Sequence, residues 1–170
     1  VTLIIVRELA PVLAAVLTAA QGGSSYAAEL GAMRIKEEID ATEVMAVDPV
    51  AFHVVPRVLA MVIVNPCLTI LAILFGVGGG FVVATLSYDQ APGVFMANMT
   101  NLVSMFDVWA ALLKALVYGL FLGLLASWQG FETTGGAEGV GRAVNNTIVY
   151  TIVFLLVFNY AASSLLFGWQ

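Results

Sequence analysis

The chain has 170 residues, of which 61% are hydrophobic and 10% are charged, and its formal net charge is −5. Soluble domains carry about 25% charged residues, so this composition excludes an ordinary soluble fold. Cys67 is the only cysteine, which excludes a disulfide framework and a CxxC metal or redox site. We therefore expect a protein that lies in a membrane.

Four apolar segments are long enough to cross the hydrocarbon core of a bilayer, which takes about 20 residues. They cover residues 3–23, 57–86, 108–128 and 146–168. Their apolar residues run continuously rather than alternating, and helices satisfy their own backbone hydrogen bonds in lipid. The sequence therefore predicts an all-α fold, a polytopic membrane helix bundle with about four transmembrane helices in a single domain over residues 1–170. Because Val1 already lies in an apolar run, we expect that residues preceding it are missing.

A dense group of charges lies between the first two apolar segments, in residues 29–49, which we call the charged loop. It holds six of the eleven acidic residues, together with Arg34 and Lys36. Charges at this density cannot lie in lipid, so we expect an aqueous segment that another protein contacts. Lys and Arg also occur at positions 57 and 142 but not in residues 87–107. The positive-inside rule therefore predicts that the charged loop and residues 129–145 are cytoplasmic and that residues 87–107 lie outside.

The charged loop carries signals for two short helices. Asp40-Ala-Thr-Glu43 has the spacing of a capping box, with Asp in place of Ser or Thr. This spacing predicts one helix through about Ile39 and a second that starts near Ala41. Pro49 disfavours helix at the residue before it, so we expect the second helix to end there.

The outer segment begins with turn-forming residues at 87–93. Large apolar residues then recur at helical spacing, at positions 95, 99, 102, 103 and 106. This pattern predicts a helix that lies in the membrane interface on the outer side.

Three charged residues inside the apolar segments are candidates for function. Lys114 lies about 10 Å deep by helical rise, where a buried charge costs at least roughly 2.5–3.5 kcal/mol. It therefore needs a cavity, a partner or an anionic ligand, unless it extends back to the outer interface. Arg7 and Glu8 point about 100° apart on a helix, so each is expected to face a different partner or a wet cavity, with interfacial anchoring as the alternative. Arg7 and Lys114 together could form a cationic lining suited to a phosphate headgroup.

Other polar and small residues in the spans are interpreted mainly as packing elements. Asn159 is expected to bridge helices by hydrogen bonding, or else to line the same cavity as the charged residues. Two GxxxG motifs, at 76–80 and 119–123, favour close helix approach within the chain or between two copies. Asn65-Pro66 predicts a kink, as a hinge or as shape alone. No GK[ST] phosphate loop occurs, so we expect no cofactor in this chain.

Several strings together resemble one known family, and the match covers the whole chain. The strings are Arg7-Glu-Leu-Ala-Pro-Val-Leu-Ala-Ala, Gly23-Ser-Ser-Tyr-Ala-Ala-Glu-Leu-Gly-Ala-Met-Arg, Glu37-Glu-Ile-Asp-Ala-Thr-Glu-Val-Met-Ala-Val-Asp-Pro49, Pro56-Arg57 and Thr133-Thr-Gly-Gly-Ala-Glu-Gly-Val-Gly141. They are similar to the MlaE/YrbE permeases, the membrane subunits of ABC systems that work with MCE proteins. Family members are longer, so about the first third, with an interfacial helix and a first spanning helix, would be missing here.

The resemblance implies a homodimeric permease of the bacterial inner membrane, or alternatively of the plastid inner envelope. Its partners would be a second copy, a cytoplasmic ABC ATPase that binds ATP and Mg²⁺, and an outer ring of single-span MCE-domain proteins. Phospholipid would be the cargo, no enzymatic activity would lie in this chain, and no nucleic acid would be bound.

The resemblance also implies roles for particular residues. Arg7, Glu8 and Lys114 match charged residues near the lipid cavity, and with Asn159 they are the candidate lipid-binding residues. The charged loop would act as a coupling helix. Its candidate ATPase contacts are Glu29, Gly31, Met33, Arg34, Glu37, Glu38, Asp40 and Glu43.

This chain departs from the family pattern at three positions. Ala10 stands where glycine is usual, Gln21 where arginine is frequent, and Asn159 where some members have an acid. Three alternatives remain open: an ABC permease for another hydrophobic solute such as a sterol, a secondary transporter that uses Glu8 for ion coupling, and a non-transporting scaffold for the outer ring.

Overall fold

Helices account for nearly all of the chain in the computed structural model, which describes residues 2–86 and 91–168. Across these two ranges no residue lies in a strand. The helices in chain order are α1 (Thr2–Ile35), α2 (Glu38–Val44), α3 (Val50–Leu86), α4 (Pro92–Leu102), α5 (Met105–Phe131) and α6 (Gly136–Phe167).

Four of these helices, α1, α3, α5 and α6, are long and apolar enough to cross a membrane. Each of the four predicted spans coincides with one of them, the last to within one residue at its end, which confirms the all-α polytopic prediction. The largest difference is in α1, which continues to Ile35 and so carries the chain well into the charged loop. The apolar pattern stops near residue 23, but the helix does not, because residues 24–35 still have helix-forming composition.

The two central helices are α1 and α5. Within the 18-residue apolar stretch of each helix, 39% of α1 and 44% of α5 is buried, against 22% of α3 and 17% of α6. Both central helices pack against each other and against α3 and α6, whereas α3 and α6 share little contact. The bundle is therefore an α1–α5 core with α3 on one side and α6 on the other.

The α3–α5 crossing is close because glycines on α5 face the backbone of α3. A Cβ atom added to Gly119 would lie 2.5 Å from the carbonyl oxygen of Met61, and one added to Gly123 would lie 2.9 Å from the Cα of Val58. The GxxxG motif at 119–123 is thus used within the chain. The motif at 76–80 differs, because a Cβ on Gly76 would lie 2.8 Å from the Ile5 side chain of α1, whereas one on Gly80 would meet nothing within 4 Å.

A buried asparagine joins three helices at the middle of the bundle. Asn65 on α3 is fully buried, accepts a hydrogen bond from the Thr18 hydroxyl of α1 at 3.1 Å, and donates one to the Ala115 carbonyl of α5 at 2.8 Å. Pro66 follows it inside α3 and removes one backbone donor from the helix. The side chain of Asn65 therefore joins α1 and α5 to α3 beside the proline, where α3 lacks one of its backbone hydrogen bonds.

Helix α1 contains two π-helical turns, Ile5–Leu9 and Ala19–Gly23, and α3 begins with a third, Val50–Val54. A π-turn inserts an extra residue and re-aims the side chains around it, and such turns occur frequently at functional sites. The first turn of α1 includes Arg7 and Glu8.

The predicted helix boundaries in the charged loop are wrong. The break falls at Lys36 and Glu37, where Glu37 adopts a left-handed φ of 61°, and α2 starts at Glu38 rather than Ala41. Asp40 does not cap a helix, because its carboxylate binds the Arg34 guanidinium instead.

The end of α2 also differs from the prediction. It lies at Val44 rather than at Pro49, because Ala46 adopts a φ of 61° and turns the chain before the proline is reached. Pro49 instead directly precedes the π-turn that opens α3.

The outer helix α4 exists but is shorter than predicted. It ends at Leu102, and Phe106 belongs to α5. Ser104 separates the two helices and forms a capping box with Asp107, in which each side chain bonds the backbone of the other. The interfacial position of α4 stays a prediction, and the turn expected at 87–93 lies partly outside the described residues.

We expect Gly119→Ala to destabilise the protein by about 1–3 kcal/mol, the usual cost of overpacking a close contact. The atoms that an added methyl group would meet are backbone atoms of α3, which cannot rotate away. The matched control is Gly79→Ala, because a Cβ there meets nothing within 4 Å and Ala is the better helix former. Thermal unfolding of the full-length protein in one detergent compares the two variants, and equal unfolding temperatures would contradict the close crossing.

Candidate functional site

An ion pair between Lys114 and Glu8 lies where α1, α5 and α6 meet, at the end of the bundle opposite the charged loop. Lys114 on α5 is 1% exposed. Its Nζ donates hydrogen bonds to Glu8 Oε1 at 3.2 Å, to the Arg7 carbonyl at 3.2 Å and to Ser163 Oγ at 2.7 Å. The expected need of Lys114 for a partner is thus met inside the protein, and its burial leaves no room for extension to the interface.

Glu8 is the hub of this cluster. Its Oε1 accepts hydrogen bonds from Lys114 and from the Ser163 hydroxyl, the latter at 2.7 Å. Its Oε2 accepts one from Asn159 Nδ2 at 2.8 Å, and Asn159 Oδ1 in turn accepts one from the Tyr118 hydroxyl at 2.9 Å. Asn159 therefore bridges α1, α5 and α6, which confirms the expected helix-bridging role.

Arg7 has a different partner from its neighbour Glu8, as the 100° separation predicts. Its Nε donates to Asp107 Oδ1 at 2.7 Å, and Asp107 is 1% exposed. The other oxygen of Asp107 accepts the backbone N–H and the hydroxyl of Ser104, at 2.9 and 3.1 Å. The Arg7–Asp107 pair therefore fastens α1 to the junction between α4 and α5.

Two cations and two carboxylates make this cluster formally neutral. Removing an ion from water costs several kcal/mol, and close pairing with additional hydrogen bonds offsets that cost. Side-chain exposure is 19% for Arg7 and 32% for Glu8, against 1% for Lys114 and Asp107. Arg7 and Glu8 are thus the members that a ligand could reach, and a lipid-binding role for the four predicted residues stays a prediction.

Sequence reasoning overlooked three members of the cluster, namely Asp107, Ser163 and Tyr118. Asp107 did carry a signal, because Ser104-Met-Phe-Asp107 has capping-box spacing just before an apolar run. Ser163 and Tyr118 carried none, since an isolated serine or tyrosine in an apolar helix is common.

The charged loop is held to the opposite end of the bundle by several contacts. Ile39 on α2 is 1% exposed, and the Thr42 hydroxyl lies 3.3 Å from Nε2 of His53 on α3. Arg57 on α3 binds Glu29 on α1 at 3.2 Å. The loop is therefore a folded surface attached to both α1 and α3.

The predicted ATPase contacts fall into three groups in this surface. Gly31 is buried against Thr133, where an added Cβ would lie 2.9 Å from the Thr133 hydroxyl, so packing within the chain accounts for this glycine. Met33 and Arg34 are half-buried. The remaining five are exposed, namely Glu29, Glu37, Glu38, Asp40 and Glu43.

Large apolar side chains accompany these carboxylates at the tip of the loop. Val44 is 88% exposed and Met45 is 69% exposed. Sequence reasoning had not singled them out, because in a chain this apolar two more apolar residues carry no signal. The tip thus exposes two apolar side chains surrounded by carboxylates. This composition is typical of a surface that contacts another protein rather than of a reaction centre.

The fold and these two polar regions define a polytopic helical membrane protein with a neutral ionic cluster at one end and a charged, folded loop at the other. A family model described as permease MlaE matches residues 1–165. The chain belongs to this family of permeases, as its resemblance implied.

Three relatives illustrate the similarity. A probable ABC transporter permease protein of Synechocystis is 39% identical over 98% of this chain and 63% of its own length. The intermembrane phospholipid transport system permease protein MlaE of Haemophilus influenzae is 33% identical over 99% of this chain and 65% of its own length. The chloroplastic protein TRIGALACTOSYLDIACYLGLYCEROL 1 of Arabidopsis thaliana is 30% identical over 95% and 46%. The chain thus spans less than two thirds of the length of each of these relatives.

We expect Glu8→Gln to destabilise the protein by about 3 kcal/mol, because it leaves the Lys114 ammonium buried without a counter-charge. Lys114→Met should cost less, since the Glu8 carboxylate is partly exposed and keeps Asn159 and Ser163 as donors. The double variant should lose less than the sum of the single losses, by about 0.5–3 kcal/mol. Thermal unfolding of all four proteins measures this cycle, and strictly additive losses would mean that the two side chains do not interact.

Proposed function

We propose that this chain is the membrane-spanning part of an ABC transporter permease that moves phospholipid, or a related lipid, between the inner membrane and the periplasmic side. A separate cytoplasmic ATPase supplies the energy. The observation that carries the proposal is the family match over residues 1–165. It is supported by the Haemophilus relative, whose name describes intermembrane phospholipid transport.

In this proposal the charged loop receives the movement of the ATPase. Its exposed carboxylates and the apolar tip at Val44 and Met45 suit a partner with an apolar pocket and a basic rim. The Arg57–Glu29 pair and the Thr42–His53 contact join the loop to α3, and the Arg34–Asp40 pair joins α2 to α1. A displacement of the tip is therefore delivered to two spanning helices rather than absorbed by a flexible linker.

The ionic cluster at the other end is the proposed site for the lipid headgroup. Arg7 is the partly exposed cation, and a phosphate would compete with Asp107 for its guanidinium. Lys114 is buried beneath the site and fixes the position of the Glu8 carboxylate by a hydrogen bond. The apolar faces of the spanning helices provide the surface for acyl chains.

The assembly that completes this function contains two copies of the permease, the ATPase with ATP and Mg²⁺, and an outer ring of MCE-domain proteins. The membrane is the bacterial inner membrane, with the charged loop in the cytoplasm, as the distribution of Lys and Arg indicates. The ionic cluster then faces the periplasmic half of the bilayer.

We expect Glu43→Lys to lower lipid transport by about tenfold, which corresponds to about 1.4 kcal/mol of lost coupling to a basic partner surface. Glu43 is exposed and its side chain makes no hydrogen bond or ion pair in the described part of the chain, so the variant should fold normally. Glu29→Lys should have a larger effect, because it also breaks the pair with Arg57. Transport is measured between donor and acceptor vesicles with the full-length protein and its ATPase.

The matched control is Glu138→Lys, a reversal of an 84% exposed carboxylate at the same end of the bundle but outside the charged loop. It should leave transport and ATP hydrolysis near the unmodified values. If both Glu43→Lys and Glu29→Lys transported lipid normally, the coupling role of the loop would be wrong.

A further inference from the structure

A groove of about 620 Å³ runs along the outside of the bundle between α1 and α3. Its volume lies within the range of small-molecule sites, about 300–1,000 Å³. Neither Glu8 nor Lys114 lines it. The groove is therefore a separate feature from the ionic cluster.

The polarity of the groove changes along its length. Helices α1 and α3 are antiparallel, so residues early in α1 face residues late in α3. The part of the groove farther from the charged loop is lined by apolar side chains such as Leu13, Leu71 and Phe75. The part nearest the charged loop is lined by Gln21 and Tyr26. The groove is thus amphiphilic, with its polar end toward the cytoplasm in the predicted topology.

Gln21 is the unusual member of this lining. It is exposed on a helix long and apolar enough to cross a membrane, and its side-chain amide makes no hydrogen bond with any residue that the structure describes. The Tyr26 hydroxyl likewise has no partner within these described ranges. An unsatisfied amide next to hydrocarbon is costly, so both groups are suited to an external acceptor.

Charged groups lie just beyond the polar end. The Arg57 guanidinium carbon is 5.8 Å from the centre of the Tyr26 ring, and Arg57 also binds Glu29 at 3.2 Å. A cation and a carboxylate side by side complement a headgroup that carries a phosphate and an amine.

We propose that this groove binds one glycerophospholipid of the cytoplasmic leaflet. One acyl chain lies along Leu17, Leu71 and Phe75, while phosphate or ester oxygens accept hydrogen bonds from the Gln21 amide and the Tyr26 hydroxyl beside Arg57. The site goes beyond the proposed transport function and does not depend on it, because binding needs neither ATP nor the ionic cluster.

The experiment uses full-length protein in nanodiscs that contain a phosphatidylethanolamine with a diazirine in its acyl chain. After irradiation, mass spectrometry locates the cross-linked residues. Leu17→Trp narrows the groove, and its control is Leu74→Trp, since the two leucines are 62% and 63% exposed but Leu74 does not line the groove. Gln21→Leu removes the amide, and its control is Gln129→Leu on α5. Unchanged unfolding temperatures establish that all four variants fold.

We expect the labelling of groove residues to fall in both groove variants but not in their controls. In Gln21→Leu it should fall about tenfold, the size of one lost hydrogen bond to a charged acceptor. In Leu17→Trp it should fall at least as much, because the indole occupies the place of the acyl chain. A diacylglycerol with the same diazirine chain should label the groove weakly. Equal labelling by both lipids and in all variants would show unspecific contact with hydrocarbon and overturn the proposal. Protein–protein cross-links from Leu17 in place of lipid would also overturn it, because a second copy or another segment of the protein would then fill the groove.

Discussion

The pairing of Glu8 with Lys114 is the constraint on which the arrangement of the bundle depends. Each charge alone would cost several kcal/mol in an apolar environment, so the two must meet, and α1 must cross α5 where their side chains reach each other. The carboxylate has more acceptor capacity than one ammonium uses, and Ser163 and Asn159 of α6 occupy the rest. The Glu8–Lys114 pair therefore links three helices.

The contacts of α3 are of a different kind. No charged residue of α3 takes part in the ionic cluster. Backbone approach at Gly119 and Gly123, the Asn65 side chain and, near the charged loop, the Arg57–Glu29 pair hold this helix. Close backbone contact stabilises the crossing by dispersion over many atom pairs, but it does not select one alignment of the two helices, as a pair of opposite charges does. The polar atoms of Asn65 supply the register that the glycines do not, because only one alignment brings Thr18 and the Ala115 carbonyl to it.

Composition and periodicity predicted the helical class, the four spans and the presence of costly charges inside them. They could not predict the pairings, because Arg7 and Asp107 are 100 residues apart and nothing local links them. The boundary errors in the charged loop have the same origin. Asp40 has the sequence signal of a helix cap, but its carboxylate binds the Arg34 guanidinium, six residues earlier, in place of the backbone N–H groups at a helix start. Local signals thus fixed which residues are helical, while contacts between distant residues decided where helices break and which charges are neutralised.

Close backbone packing and polar side-chain contacts are found at different places in the bundle. Helices α1, α3 and α5 are joined by close packing at Gly119, Gly130 and Asn65, where any separation opens a void or leaves buried polar groups unpaired. Near the ionic cluster, α6 is joined to α1 by hydrogen bonds to Glu8 and to α5 by stacked and edge-on aromatic rings.

Hydrogen bonds to a partly exposed carboxylate can be exchanged for bonds to water or to a ligand, whereas backbone packing cannot. A ligand that engaged Glu8 would therefore compete with the hydrogen bonds from Asn159 and Ser163 that join α6 to α1. Nearer the charged loop, residues 24–35 of α1 stay packed against α6, so this competition acts only at the end of the bundle that holds the ionic cluster.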